Sequence, residues 1–322
     1  LLRDLLRGEW GYRGVMMSDW GAVNDRVLGL RVGLDLEMPG SEGFHDRMVL
    51  QAVRSGDLDP AYVDESAGRI LALVEKASRV RPDTVVDEDR QHELARRLAV
   101  ESMVLLKNDS QLLPLSRERS LAVIGDFARK PRYQGGGSAN VHPTRLPCFL
   151  DELPVFTSQF EFEPGYIPES DYPDEDLLEA AVELARKKDV ALILAGLPNS
   201  YESEGYDRSH MRLPDSQNDL IRRVAQVNPN TVVVLFAGGP VEMPWIEQVK
   251  AVLMAYLPGQ AGAGAVADLL FGKVSPSGRL PESFPIRWEE SPCHHYFGQE
   301  SIVEYRESIF VGYRYFGKER TV

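Results

Sequence analysis

The chain has 322 residues, 43% hydrophobic and 26% charged, the composition of an ordinary globular protein with room for two cored domains. Its 36 Lys and Arg against 49 Asp and Glu leave a formal charge of −13, which disfavours nucleic acid and anionic membranes as partners and suits a neutral ligand such as a carbohydrate. No apolar run approaches the roughly 18 residues that span a bilayer, and two cysteines, Cys148 and Cys293, make neither a disulfide framework nor a zinc motif.

Leu1 to Arg7 reads as the end of a helix. Val15–Ser18 is a short apolar run that predicts a buried strand, and it stops abruptly at Asp19, Trp20 and Gly21. Gly33–Met38 predicts a second short strand ended by Pro39. Asp59 and Pro60 open a helix, with Asp as N-cap and Pro at the first helical position. Val63, Ala67, Ile70, Leu71 and Val74 then follow at helical spacing. Strand and helix alternate over short connections, an α/β pattern. Between Arg79 and Asp89 the chain turns polar around Pro82, which marks a domain boundary. A helix from about His92 to Ser102 follows and leads into the apolar stretch Met103–Asn108.

The second domain repeats the pattern. Leu121–Ile124 predicts a strand ending at Gly125, and a glycine-rich loop follows at Gly135–Ser138. A helix over Glu175–Lys187 leads into the strand Val190–Ala195. Asp215 is the expected cap of a helix carrying Leu220, Ile221, Val224 and Val227. Thr231–Phe236 and Ala251–Ala255 are further apolar strands, and a helix after Gly259 ends at Phe271-Gly272. Continuous β-branched runs between amphipathic helices predict a mainly parallel sheet covered on both faces.

In parallel α/β architectures ligands lie at the carboxyl ends of strands. Asp19 follows one predicted strand, and the acidic loop Tyr201–Arg208 follows another. Two carboxylate-bearing loops from two domains are therefore expected to converge on one site. Glycoside hydrolysis needs that chemistry, with an ionised carboxylate on one face of the sugar and a protonated one on the other. The indole of Trp20 beside Asp19 offers an apolar face to a pyranose ring. The plainer alternative for Asp19 is a capping residue for the next turn, and for Trp20 a core side chain. Glu204 competes with Glu202, two residues earlier in the same loop. Asp207 and Arg208 are expected to form an ion pair that shapes the loop. Gly135–Gly137 lacks the context of a phosphate loop, and Val123–Asp126 lacks a dinucleotide fingerprint. Cys293, His294 and His295 have no fourth ligand nearby in sequence, so no metal and no organic cofactor is expected.

Motifs along nearly the whole chain resemble the two-domain β-glucosidases of glycoside hydrolase family 3. They are GVMMSDWG at 14–21, VLLKNDSQLLPL at 104–115, LAVIG at 121–125, GGGSA at 135–139, EGYDRSHMRLP at 204–214, NPNTVVV at 228–234, PGQAGAG at 258–264, SPSGRLPESFP at 275–285 and VEYRESIFVGYRYF at 303–316. The resemblance implies the C-terminal part of a (β/α)8 barrel over 1–78 and a linker with a helix over 79–102. An α/β sandwich domain over 103–288 follows, then a tail over 289–322 leading towards a fibronectin-like module. It implies Asp19 as nucleophile, Glu204 as general acid/base, Trp20 as part of the floor of the sugar subsite, and Ser138 as a further contact to the sugar. Asp35 and Glu37 line the barrel mouth in this reading, or are surface or supporting carboxylates.

The implied reaction is retaining hydrolysis that releases terminal non-reducing β-D-glucose. Alternatives are β-xylosidase or arabinosidase chemistry, a non-catalytic carbohydrate-binding fragment, or a nucleotide-binding module. The sequence departs from the family pattern in one respect: only 18 residues precede Asp19, without the Lys-His pair, Asp and Arg that bind sugar hydroxyls there. The chain is accordingly expected to be a fragment, partnered by a complementing N-terminal barrel half or by copies of itself in a homo-oligomer. The compartment stays open, with two free thiols leaning towards the cytoplasm.

Overall fold

The structure, a computed structural model, describes residues 1–80, 85–298 and 301–319. It divides into two compact units, Leu1–Val85 and Val86–Val322. Pro82, at the centre of the expected boundary, lies outside the described residues, as do 299–300 and 320–322 of the expected tail.

In the first unit a wide-turn helix, Leu2–Glu9, precedes α1 (Arg26–Val32), α2 (Phe44–Ser55) and α3 (Ala61–Ser78). Its core is small, formed by Leu30, Ala52 and Leu58. The two expected strands are less than strands. Residues 15–18 and 33–38 lie side by side, yet pair through a single parallel bridge, Met17 to Leu36. No continuous ladder forms, and Met17 is left 52% exposed rather than buried. Helix α3 begins one residue later than expected. Pro60 flanks it with helical dihedrals of −56° and −22°, and the Asp59 carboxylate accepts from the Ala61 amide at 2.9 Å. Its apolar residues Leu71 and Val74 are exposed, whereas Ser66 is buried and donates to the Asp35 carbonyl.

The second unit is built on one sheet. Strands β1 (Val104–Asn108), β2 (Leu121–Ile124), β3 (Phe160–Glu163), β4 (Val190–Gly196), β5 (Thr231–Phe236) and β6 (Ala251–Met254) lie in the order β1-β6-β5-β4-β2-β3. All neighbours are parallel except β1, which runs antiparallel to β6. Around the sheet lie α4 (Glu88–Ser102), α5 (Phe149–Glu152), α6 (Glu175–Lys187), α7 (Asp215–Val227) and α8 (Gly262–Leu270), and α9 (Tyr313–Glu319) follows in the tail.

Alternate residues of the central strands feed two separate cores. Leu121, Val123, Leu192, Leu194, Val232 and Val234 pack with α4, α5 and α8. Ala122, Ile124, Ala191, Ile193, Val233 and Leu235 pack with α6 and α7. Helices on both faces explain why these strands read as unbroken apolar runs. The chain is thus α/β with a mainly parallel sheet, as its pattern indicates.

Two helix starts are corrected, and one strand is found where none was expected. Helix α4 starts at Glu88 rather than near His92, because the Asp87 carboxylate caps it through the Arg90 amide at 3.0 Å. Asp215 is the first residue of α7, not its cap; Pro214 stands at the cap without a side-chain hydrogen bond. Strand β3, Phe-Glu-Phe-Glu, is an edge strand whose glutamates break the apolar run that marks the central strands.

Candidate active site

Asp19 sits at the end of the Val15–Ser18 segment, and main-chain bonds to the neighbouring segment hold it there. Ser18 N donates to Leu36 O and Gly21 N to Met38 O, both at 2.9 Å. The Ser18 hydroxyl accepts from Met38 N at 2.8 Å. Between these anchors Asp19, Trp20, Gly21 and Ala22 form a tight turn closed by Ala22 N to Asp19 O at 3.2 Å. Gly21, third in the turn, has φ +72°, the left-handed value that a type II turn requires there. The turn leaves the Asp19 side chain exposed, with Oδ1 accepting from Trp20 N at 2.7 Å, and Trp20 64% exposed.

The ribbon itself is pinned by Asp35. Its buried carboxylate accepts from Met16 N at 2.8 Å, from Arg7 Nη2 at 2.6 Å and from Arg69 Nε at 3.0 Å. Asp35 is therefore a supporting carboxylate and not a surface one. Glu37, half-buried, meets the His45 ring at 2.5 Å and Arg26 at 4.0 Å.

Glu204 lies in the long loop between β4 and α7, beyond the carboxyl end of β4. A second loop, Gly135–Ala139, is zipped onto it. Gly136 and Ser203 form a parallel bridge, Ser138 N donates to Glu204 Oε2 at 2.7 Å, and the Ser138 hydroxyl donates to the same oxygen. These two donors hold the exposed Glu204 carboxyl below its usual range, the hydroxyl contributing most. Of the residues singled out in the sequence, the structure brings Ser138 and Glu204 into contact, and Asp19 and Trp20 are adjacent in the other unit.

Glu202 is set apart from Glu204 by its partners. Its Oε1 accepts from Gly238 N at 2.7 Å and its Oε2 from Arg132 Nη2 at 3.4 Å, so it is tied into the loop base. Arg132 was not singled out in the sequence. Buried, it donates to Gln134 O at 2.7 Å, to the Asn199 side chain and to Glu202, and so fastens both loops to one guanidinium. Its partners on the acid loop lie 67 and 70 positions away along the chain, and no local signal marks it. Among the described residues the expected Asp207–Arg208 pair does not form; Arg208 donates instead to Pro240 O at 3.0 Å. Among the described residues no group of three or more His, Cys, Asp or Glu is placed to hold a metal ion, and no helix is long and apolar enough to cross a membrane.

Comparisons with known proteins locate these features in a lineage. Residues 103–313 match the glycosyl hydrolase family 3 C-terminal domain. The chain is 49% identical over 321 residues to thermostable beta-glucosidase B of Acetivibrio thermocellus, covering 98% of this chain and 42% of that protein. It is 43% identical over 329 residues to an exo-alpha-(1->6)-L-arabinopyranosidase of Bifidobacterium breve, covering 98% of this chain and 43% of that one. The crystal structure of the Bifidobacterium adolescentis GH3 beta-glucosidase superposes with a TM-score of 0.91 at 43% identity, covering all of this chain and 48% of that chain. The chain thus spans less than half the length of these relatives. Matched over most of its length by a family-specific domain and by relatives of this identity, the chain belongs to glycosyl hydrolase family 3.

Proposed function

We propose that this chain carries the two catalytic acids of a retaining β-glucosidase, with activity belonging to a polypeptide of the relatives' full length. The observation that carries the reading is the state of the two motif acids. Asp19 and Glu204 are both exposed, Asp19 on a turn after a bridged extended segment and Glu204 on a loop beyond the end of β4, each fixed by hydrogen bonds, while the neighbouring acids Asp35 and Glu202 are tied up internally.

In the proposed reaction ionised Asp19 attacks the anomeric carbon while protonated Glu204 gives its proton to the departing oxygen. A covalent glycosyl-enzyme forms. Glu204, now ionised, takes a proton from water, which releases the sugar with net retention. Trp20 presents its indole face to the apolar side of the ring. No step calls for a metal or an organic cofactor.

The test is a pair of variants of the full-length enzyme assayed on nitrophenyl glucoside. Asp19→Ala is expected to lose turnover by orders of magnitude. In Glu204→Ala, azide should restore cleavage of substrates with good leaving groups and give a β-glycosyl azide. An α-azide product, or no rescue, overturns the assignment. A second reading keeps the acids and changes the sugar, because one relative is named an arabinopyranosidase. A panel of nitrophenyl glucoside, xyloside and arabinosides separates the two by their kcat/KM ratios.

A further inference from the structure

We infer that Ser138 is a positioning residue for Glu204, its amide and hydroxyl clasping one carboxylate oxygen so that the transferable proton resides on the other. The inference rests on the acid/base reading of Glu204. Both donors reach Oε2, and among the described residues no hydrogen bond reaches Oε1. The clasp depends on a close approach of two main chains. A Cβ at Gly136 would stand 2.4 Å from the Ser203 hydroxyl, and one at Gly137 would stand 2.5 Å from the Glu204 Cβ. Gly137 also has φ +80°.

The clasping loop is itself rigidly based. Gln134 receives Val141 N at 2.9 Å and donates back to Val141 O at 3.2 Å, closing the loop across its neck. Arg132 then joins Gln134 to Asn199 and Glu202 on the acid loop. The clasping loop carries no charged residue from Gly135 to Asn140. The acid loop carries Glu202, which is occupied, Asp207, Arg208, which donates to Pro240, His210, which packs on Tyr201, and Arg212, which faces Asp215 at 4.0 Å.

The chemistry follows from which oxygen is held. Two donors on Oε2 favour the ionised state, the state that deprotonates water in the second step. In the first step the proton therefore sits on Oε1. The Oε1–H bond breaks as the glycosidic oxygen gains that proton, and Oε1 regains one from water in the second step. Ser138 keeps Oε2 throughout, so the carboxylate does not rotate between steps.

The experiment has two readouts. The first is the carbon-13 titration of the Glu204 carboxyl in the full chain, assigned by its loss in Glu204→Gln. The midpoint should move up in Ser138→Ala and return towards wild type in Ser138→Thr, which restores the hydroxyl. The second is the pH profile of kcat/KM in the full-length enzyme, whose basic limb should move to higher pH in Ser138→Ala. A wild-type midpoint in Ser138→Ala, or a fall in activity with the basic limb unmoved, overturns the positioning role. Failure of azide rescue in Glu204→Ala with the midpoint still displaced overturns the acid/base reading instead, and leaves the serine–carboxylate coupling standing.

Discussion

The two motif acids are held in opposite ways. Asp19 is presented by main chain, at a turn pinned at either end to the neighbouring segment and backed by a buried carboxylate with two arginines. Glu204 is presented by side chains as well as main chain, through the hydroxyl and amide of a serine on a separate loop and an arginine that ties both loops together. Main-chain presentation fixes position while leaving the carboxylate's own oxygens nearly free, which suits the attacking role proposed for Asp19. Bonds made to the carboxylate itself suit the proton-transfer role proposed for Glu204.

The comparison breaks most visibly at Asp35. Asp35→Ala strands Arg7 and Arg69 beside an empty site, and should lower the stability of the first unit by about 3–5 kcal/mol. Denaturant unfolding followed by amide exchange across α1 to α3 would read this, and an unchanged midpoint would refute the supporting role. Next comes Arg132→Met in the second unit, expected to cost about 3 kcal/mol by leaving half-buried Glu202 short of its cation. It should also speed amide exchange across 198–204, whereas slow exchange throughout that loop would show that the arginine is dispensable.

A smaller effect is expected of Gly137→Ala, about 1–3 kcal/mol for an alanine in left-handed backbone. Its sharper consequence is to push Glu204 off Ser138 and raise the Glu204 titration midpoint with the serine still present. The smallest effect is that of acid. Because the folded Glu204 carboxyl is held below its ordinary value of 4.5, the clasp's stabilisation is complete above that value and is lost as pH falls through the folded one. Exchange of the Ser138 amide should quicken in that window, and an unchanged exchange rate there would refute the clasp's pH dependence.

Much of the larger unit was legible because its strands are buried on both faces. Val190–Ala195 and Thr231–Phe236 declare themselves by an unbroken apolar run, and Glu175–Lys187 by helical spacing. What was not legible depends on partners distant in sequence. Val15–Ser18 is as apolar as a central strand, yet has a single bridge; only the neighbouring segment decides that. Strand β3 alternates glutamate with phenylalanine because Phe160 and Phe162 pack on the core of one sheet face and the glutamates point to the other. Asp35 is indistinguishable from a surface acid until Arg7 and Arg69 fold onto it. Asp19, Glu204, Trp20 and Ser138 stood out through their motifs, but the choice between Glu202 and Glu204 acquires a physical basis only when Gly238 and Arg132 are seen to occupy the former.

The antiparallel border strand has a consequence for biosynthesis. β1 is first to leave the ribosome in its sheet, yet its ladder mate is β6, with Val104 opposite Met254. Until that late segment emerges, the nascent β1 has open backbone donors and acceptors on its pairing side, a situation that invites annealing to another chain. Closure of the sheet is therefore a late, long-loop event, and a polypeptide cut short after β5 should be a client of chaperones rather than a soluble intermediate.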